Sequence, residues 1–349
     1  MSLPRFLPWQ ESLAGTWLSQ RERFAHAWLI HGLAGIGKVD FALAAAASLL
    51  CESPQNGLAC GGCPACTWVA GGNHPDLRRI RPDAVAVEEG ADADADGASG
   101  DAAASAGSKR APSKDIRIEQ IRSLESWFNT ATHRGGWRVA VLYPAHAMNA
   151  VSANALLKVL EEPPAHTVFL LVADAPDRLL PTLVSRCRRL PLPAPDVDTA
   201  EAWLRQQDIS DPGSWLAAAG GAPLAALRLA QSREQACPSW LDSLITNLAR
   251  GDIDLGALTE SIEKTAAAEW LDALQRLFVD LMLAQTGAPV RYFPGQAAAL
   301  QSIAQRSRAA PLAETGRWLT QQRALANHPL SPKLFIHSAL QRVAASCRH

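Results

Sequence analysis

One glycine-rich loop constrains this chain more than any other feature. Ala27-Trp28-Leu29-Ile30-His31 is a short apolar run ending at Gly32, the pattern of a strand buried on both faces. Gly32-Leu-Ala-Gly-Ile-Gly37-Lys38-Val39 follows, and residues 39–50 are rich in apolar side chains and free of glycine and proline, which predicts a helix. The loop fits the spacing G-x-x-x-x-G-K. Gly32, Gly35 and Gly37 let backbone N–H groups approach phosphate oxygens at a helix N-terminus, and Lys38 would meet the outer phosphates. Strand, loop and helix together open an α/β nucleotide-binding domain.

The loop lacks one part that phosphoryl transfer needs. The residue after the lysine is normally Ser or Thr, whose hydroxyl ligates Mg²⁺. Here it is Val39. A second apolar run, residues 138–143, predicts another buried strand. In a working ATPase of this type such a strand ends in carboxylates that hold Mg²⁺ and polarise water. This one runs into Tyr143-Pro144-Ala145-His146. Two separate parts of the metal site are therefore missing, and we expect no ATP hydrolysis by the chain. Lys38 and the glycines survive, which leaves room for ATP or ADP bound without turnover.

Seven cysteines are present, four of them in the pattern Cys51-x8-Cys60-x2-Cys63-x2-Cys66. Clustered cysteines in an intracellular chain point to a metal rather than to disulfides. Four thiolates close a tetrahedral Zn²⁺ site and leave no open position, so its role is structural. An iron–sulfur cluster is the rival for such spacing. His74 is close enough in sequence to ligate, but four cysteines suffice. Glycines and prolines around these residues predict no regular element there.

Residues 83–114 are poor in large apolar side chains and rich in Ala, Gly, Asp and Ser. Such a segment buries too little surface to offset its ordering entropy, which predicts a disordered insertion. Order is expected to resume near Ile116. Residues 151–162 have an amphipathic helical pattern ended by Pro163-Pro164, Thr167–Ala173 reads as a third buried strand, and 188–192 as a last one. A short helix, broken or started at Pro181, leads to Ser185-Arg186-Cys187. Arg186 at such a helix-to-strand edge can reach the γ-phosphate on a neighbouring subunit as an arginine finger. From residue 196 onward the pattern is helical.

Net charge is −1 over 349 residues, which gives no sign of a strongly basic nucleic-acid binder. The first residues show no basic stretch followed by an apolar core, and no apolar run is long enough to span a membrane. A cytoplasmic location follows as an expectation.

With these residues assembled, the chain resembles the δ′ subunits of bacterial DNA polymerase III clamp loaders, within the AAA+ superfamily. The resemblance runs from Pro8-Trp9 to at least Leu192. It is carried by Asn154-Ala-Leu-Leu-Lys-Val-Leu-Glu-Glu-Pro-Pro164, by Ser185-Arg186-Cys187, by the four cysteines and by Asn73-His74-Pro75-Asp76. The related motor subunits carry an Asp-Glu pair that would fall at Tyr143 and Pro144, and a lid arginine that would fall at Leu224. The resemblance implies three parts: a RecA-like α/β domain over residues 1–193 with a zinc module at 51–66, a small helical lid over 194–245, and a helical collar over 246–349. It also implies a hetero-pentamer with motor (γ/τ) and δ subunits that loads the sliding clamp onto primed DNA, with Arg186 reaching ATP on the adjacent motor subunit. Two other readings differ in class. One is an active ATPase whose metal is held another way, for instance through His146. The other is a zinc-dependent nucleic-acid module around residues 51–80, for which Arg78, Arg79 and Arg81 supply little positive charge.

Overall fold

The computed structural model describes residues 2–90, 111–128, 130, 132–133, 136–233, 235–325 and 331–347. The chain divides into two compact units, Met1–Asp196 and Val197–His349.

In the first unit α1 (Glu11–Leu18) precedes β1 (Ala27–His31), α2 (Lys38–Leu50), α3 (Pro64–Ala70), β2 (Leu77–Ile80), α4 (Asp83–Glu88) and α5 (Ile118–Phe128). Then come β3 (Arg138–Leu142), α6 (Ala150–Glu161), β4 (Thr167–Ala173), α7 (Pro181–Arg186) and β5 (Arg188–Pro191). The five strands form one sheet in the order β2-β3-β4-β1-β5, and every neighbouring pair is parallel. Side chains alternate between the two faces along each strand. Leu29, Leu142, Phe169 and Leu171 pack against Ile121, Leu124, Leu156, Leu160 and Leu183 from α5, α6 and α7. Trp28 points to the other face, where its ring meets Trp17 of α1, and Trp17 in turn meets Phe41 of α2. A sheet covered on both faces explains why β3 and β4 are buried along their whole length and apolar after their first residues, Arg138 and Thr167.

Three sequence expectations change. The cysteine segment holds a regular element after all: α3 starts on Pro64, where a proline suits the first helical turn because its missing N–H would be unpaired anyway. Residues 83–90 are not part of a disordered insertion. Asp83 pairs with Arg117, Ala86 is buried, and Glu89 pairs with Arg81. Of the rest of the expected insertion, residues 91–110 lie outside the described residues, and within 111–114 the Ser113 carbonyl accepts the Ala84 N–H at 3.0 Å. Finally, β2 was not foreseen.

The second unit is helical throughout its described residues. Helices α8 (Val197–Gln206), α9 (Pro212–Ala218) and α10 (Pro223–Ser232) share a small core of Ala200, Leu204, Trp215, Leu216 and Ala226. Helices α11 (Ser239–Arg250), α12 (Leu255–Ile262), α13 (Ala267–Gln285), α14 (Ala297–Arg306), α15 (Ala309–Gln322) and α16 (Pro332–Ser346) share a larger one. A division at 245/246 would cut α11, whose Leu241, Leu244, Ile245 and Leu248 all enter the larger core. The change of core falls between α10 and α11.

Within this unit Asp280 of α13 is completely buried. Its carboxylate accepts the backbone N–H groups of Arg291 at 2.7 Å, Tyr292 at 3.0 Å and Phe293 at 2.8 Å. Tyr292 stands against Gly220, where a Cβ would lie 3.2 Å from the ring, and the Gly220 φ of +69° is left-handed. Arg291 donates to the Gly220 carbonyl, and Arg276 to that of Ala218. The turn between α9 and α10 is thus gripped by the segment that Asp280 holds. Among the described residues no helix is long and apolar enough to cross a membrane.

Candidate functional site

β1 lies between β4 and β5, so the loop after it emerges where the connections diverge to either side of the sheet, the usual place for a ligand crevice in an open parallel sheet. Gly32, Gly35 and Gly37 all have positive φ. At Gly32 a Cβ would strike the carbonyl oxygen of Leu192, and at Gly37 it would strike the Leu7 side chain. The loop is also held from its N-terminal side. Trp9 Nε1 donates to the Ile36 carbonyl at 3.0 Å, and Gln10 Nε2 to the Gly37 carbonyl at 2.7 Å.

Lys38 opens α2 with its side chain only 3% exposed. Its Nζ donates to the Leu33 carbonyl at 2.5 Å and forms an ion pair with Asp174 Oδ1 at 2.6 Å. Asp174 follows the last residue of β4, and the parallel register that pairs His31 with Ala173 brings it beside the loop. His31, at the end of β1, is held below its ordinary pKa by burial and by the positive charges of Arg189 and Lys38.

At the end of β3, where a Mg²⁺-binding carboxylate would be needed, stands Tyr143, 2% exposed. Its hydroxyl donates to Glu89 Oε2 at 2.9 Å, an oxygen that also meets Arg81 at 2.9 Å. Burial raises the phenol pKa well above its ordinary value. A neutral, hydrogen-bonded phenol supplies no anion for a metal. Val39 is half-buried on the first turn of α2 and supplies no oxygen either.

Arg186 ends α7 beside the edge strand β5. Its Nη2 meets Glu161 Oε1, the last residue of α6, at 2.6 Å, and its Nη1 donates to the Thr182 carbonyl at 3.1 Å. The Arg186 side chain is 36% exposed and that of Glu161 52%.

The four cysteines gather as their spacing suggests. Cys51 caps the C-terminus of α2, Cys63 precedes α3 and Cys66 lies in its first turn. Left-handed turns at Asn56, Gly57 and Gly61 bring Cys60 back to them. The four Sγ atoms lie within 4.8 Å of one another, and those of Cys51 and Cys63 are 3.8 Å apart. Tetrahedral Zn–S bonds of about 2.3 Å place sulfurs about 3.8 Å apart, so the group fits such an ion. The backbone N–H groups of Gly62 and Cys63 favour the Cys60 thiolate and bring its pKa down to about 6. Burial pushes Cys66 up to about 12, an effect a divalent cation would reverse by binding the thiolate. His74 stands outside the group; its Nδ1 accepts the Asp76 N–H at 3.1 Å.

Sequence reasoning identified the loop, Arg186 and the cysteines. It missed Asp174, Glu161 and Glu89. Asp174 had one available signal, its place directly after an apolar run that must lie beside β1.

Known proteins are similar in sequence to much of the chain. A family model described as DNA polymerase III, delta subunit, matches residues 16–196. DNA polymerase III subunit delta' of Pseudomonas aeruginosa is 38% identical over 226 residues, 64% of this chain and 60% of that protein. The subunit delta' of Escherichia coli (strain K12) is 32% identical over 286 residues, 78% of this chain and 77% of that one. DNA polymerase III subunit tau of the same bacterium is 32% identical over 176 residues, half of this chain but only 23% of its own length. The likeness to tau covers half of the chain, whereas the likeness to the E. coli delta' runs well into the helical unit, and on that extent the chain belongs to the DNA polymerase III subunit delta' family.

Proposed function

We propose that the chain is the non-hydrolysing, stator-like subunit of a bacterial clamp loader. In this reading it joins motor (γ/τ) and δ subunits in a hetero-pentamer and assists ATP-dependent loading of the sliding clamp onto primed DNA in the cytoplasm. The observation that carries the reading is a phosphate loop without metal ligands in the same domain as an exposed arginine. Val39 and the committed Tyr143 remove the means of hydrolysis. Leu224, in the first turn of α10, stands where a motor subunit would place its lid arginine. Arg186 is exposed at a sheet edge, held there by the solvent-exposed Glu161 and the Thr182 carbonyl, and in this reading it turns to a site on another chain, where a guanidinium stabilises charge developing on the γ-phosphate. Helices α8–α10 act as the lid and α11–α16 as the collar. The cysteine group holds a structural Zn²⁺ that fixes the turns between α2 and α3. Arg186 provides the finger in trans.

The test is ATP turnover by the reconstituted complex with clamp and primed DNA, comparing wild type with Arg186→Ala. A finger contributes on the order of 10³–10⁵ in rate at the one site it serves. The loss in total turnover is smaller, because the remaining motor sites keep their own arginines. Unchanged turnover and unchanged clamp loading refute the role of Arg186, and turnover by the isolated chain refutes the non-hydrolysing assignment.

A further inference from the structure

The ammonium that should greet a nucleotide's phosphates already has an anion. Lys38 is buried, donates to the Leu33 carbonyl, and lies 2.6 Å from Asp174 Oδ1. A β- or γ-phosphate oxygen would need the same position. We infer that Asp174 is the resident counter-ion of Lys38 and bars nucleoside di- and triphosphates from the loop.

The reason is charge rather than bulk. The Asp174 side chain is 49% exposed, so it can turn aside, but its charge stays next to any arriving phosphate. In an intact site a divalent cation offsets such repulsion. Here Val39 carries no hydroxyl, and the Tyr143 hydroxyl is committed to Glu89, so the usual metal ligands are not offered. Two anions would then share one ammonium without a bridging cation. Trp9 and Gln10 hold the Ile36 and Gly37 carbonyls, so contacts within the protein fix the shape of the loop. Lys38 serves the fold by tying the loop to the end of β4. Nucleotide exchange elsewhere in an assembly then leaves this loop unchanged, and a single neutralising substitution at Asp174 opens it to phosphate.

The measurement is a titration of the full chain with mant-ADP and mant-ATP, with and without Mg²⁺, followed by fluorescence anisotropy. Wild type, Asp174→Asn, Asp174→Ser and the double variant Asp174→Asn/Lys38→Ala are compared, each checked for folding by circular dichroism. Removing one unit charge close to the phosphates tightens binding about tenfold or more in both single variants. The gain disappears when Lys38 is also removed, and inorganic pyrophosphate displaces the probe from the single variants. Wild-type affinity equal to that of Asp174→Asn overturns the inference, and so does the lack of any gain in the folded Asp174 variants. The stator reading is judged separately, by turnover of the Arg186→Ala complex.

Discussion

Replacing Asp280 by alanine tests how firmly the turn at Gly220 is held. The carboxylate is completely buried and receives three backbone N–H groups. Arg291 is exposed, so its N–H recovers a bond to water. The N–H groups of Tyr292 and Phe293 face the core, and Phe293 is only 4% exposed. Each buried N–H left unpaired costs about 1–3 kcal/mol, and some relaxation of the loop brings the pair to about 3 kcal/mol. For a unit of this size a loss of about 1 kcal/mol lowers Tm by about 2–4 °C, so Asp280→Ala should melt about 6–12 °C below wild type. Asp280→Asn keeps one acceptor oxygen and turns N–H donors toward other donors, and it should lose about half as much. Scanning calorimetry of the full chain separates the transitions. An Asp280→Ala protein melting within about 2 °C of wild type would refute the assignment of Asp280 as the clasp of this segment.

Elemental analysis should find one Zn²⁺ per chain in the four-cysteine group; the Cys60→Ser/Cys63→Ser protein should lose it together with amide protection over residues 51–66, and full protection without metal contradicts a structural role. Glu161→Gln frees Arg186 from an exposed ion pair worth about 0.2–1 kcal/mol, so the KM for ATP in the reconstituted complex should fall by no more than about fivefold. That change should vanish in an Arg186→Ala background, and a change that persists there shows that Glu161 acts on something else.

The inner strands could be read from the sequence because burial on both faces leaves no polar alternation to obscure them. β2 could not. Its Leu77-Arg78-Arg79-Ile80 is an edge strand with partly exposed side chains, so its composition resembles a loop. α3 is hidden in the sequence because Pro64 reads as a breaker, whereas in the fold it occupies the first helical turn. The phosphate loop and the cysteines are local patterns, and local spacing determined their geometry. Asp174 and Glu161 act through partners distant in sequence. The β1 and β4 register creates the first contact, and the packing of α6 against α7 creates the second. Glu89 lies at the start of a segment whose composition, dominated by residues further on, masked a short ordered helix.

α2 is a rod of 13 residues, about 20 Å long, fastened at both ends. Its first residue is bound to Asp174, and the residue after its last one belongs to the four-sulfur group. A helix is stiff along its axis, so a shift at either fastening is felt at the other. If the cysteines hold the proposed Zn²⁺, removing it should loosen the phosphate loop at the far end of the helix. Two sites that share no side chain are thereby joined mechanically.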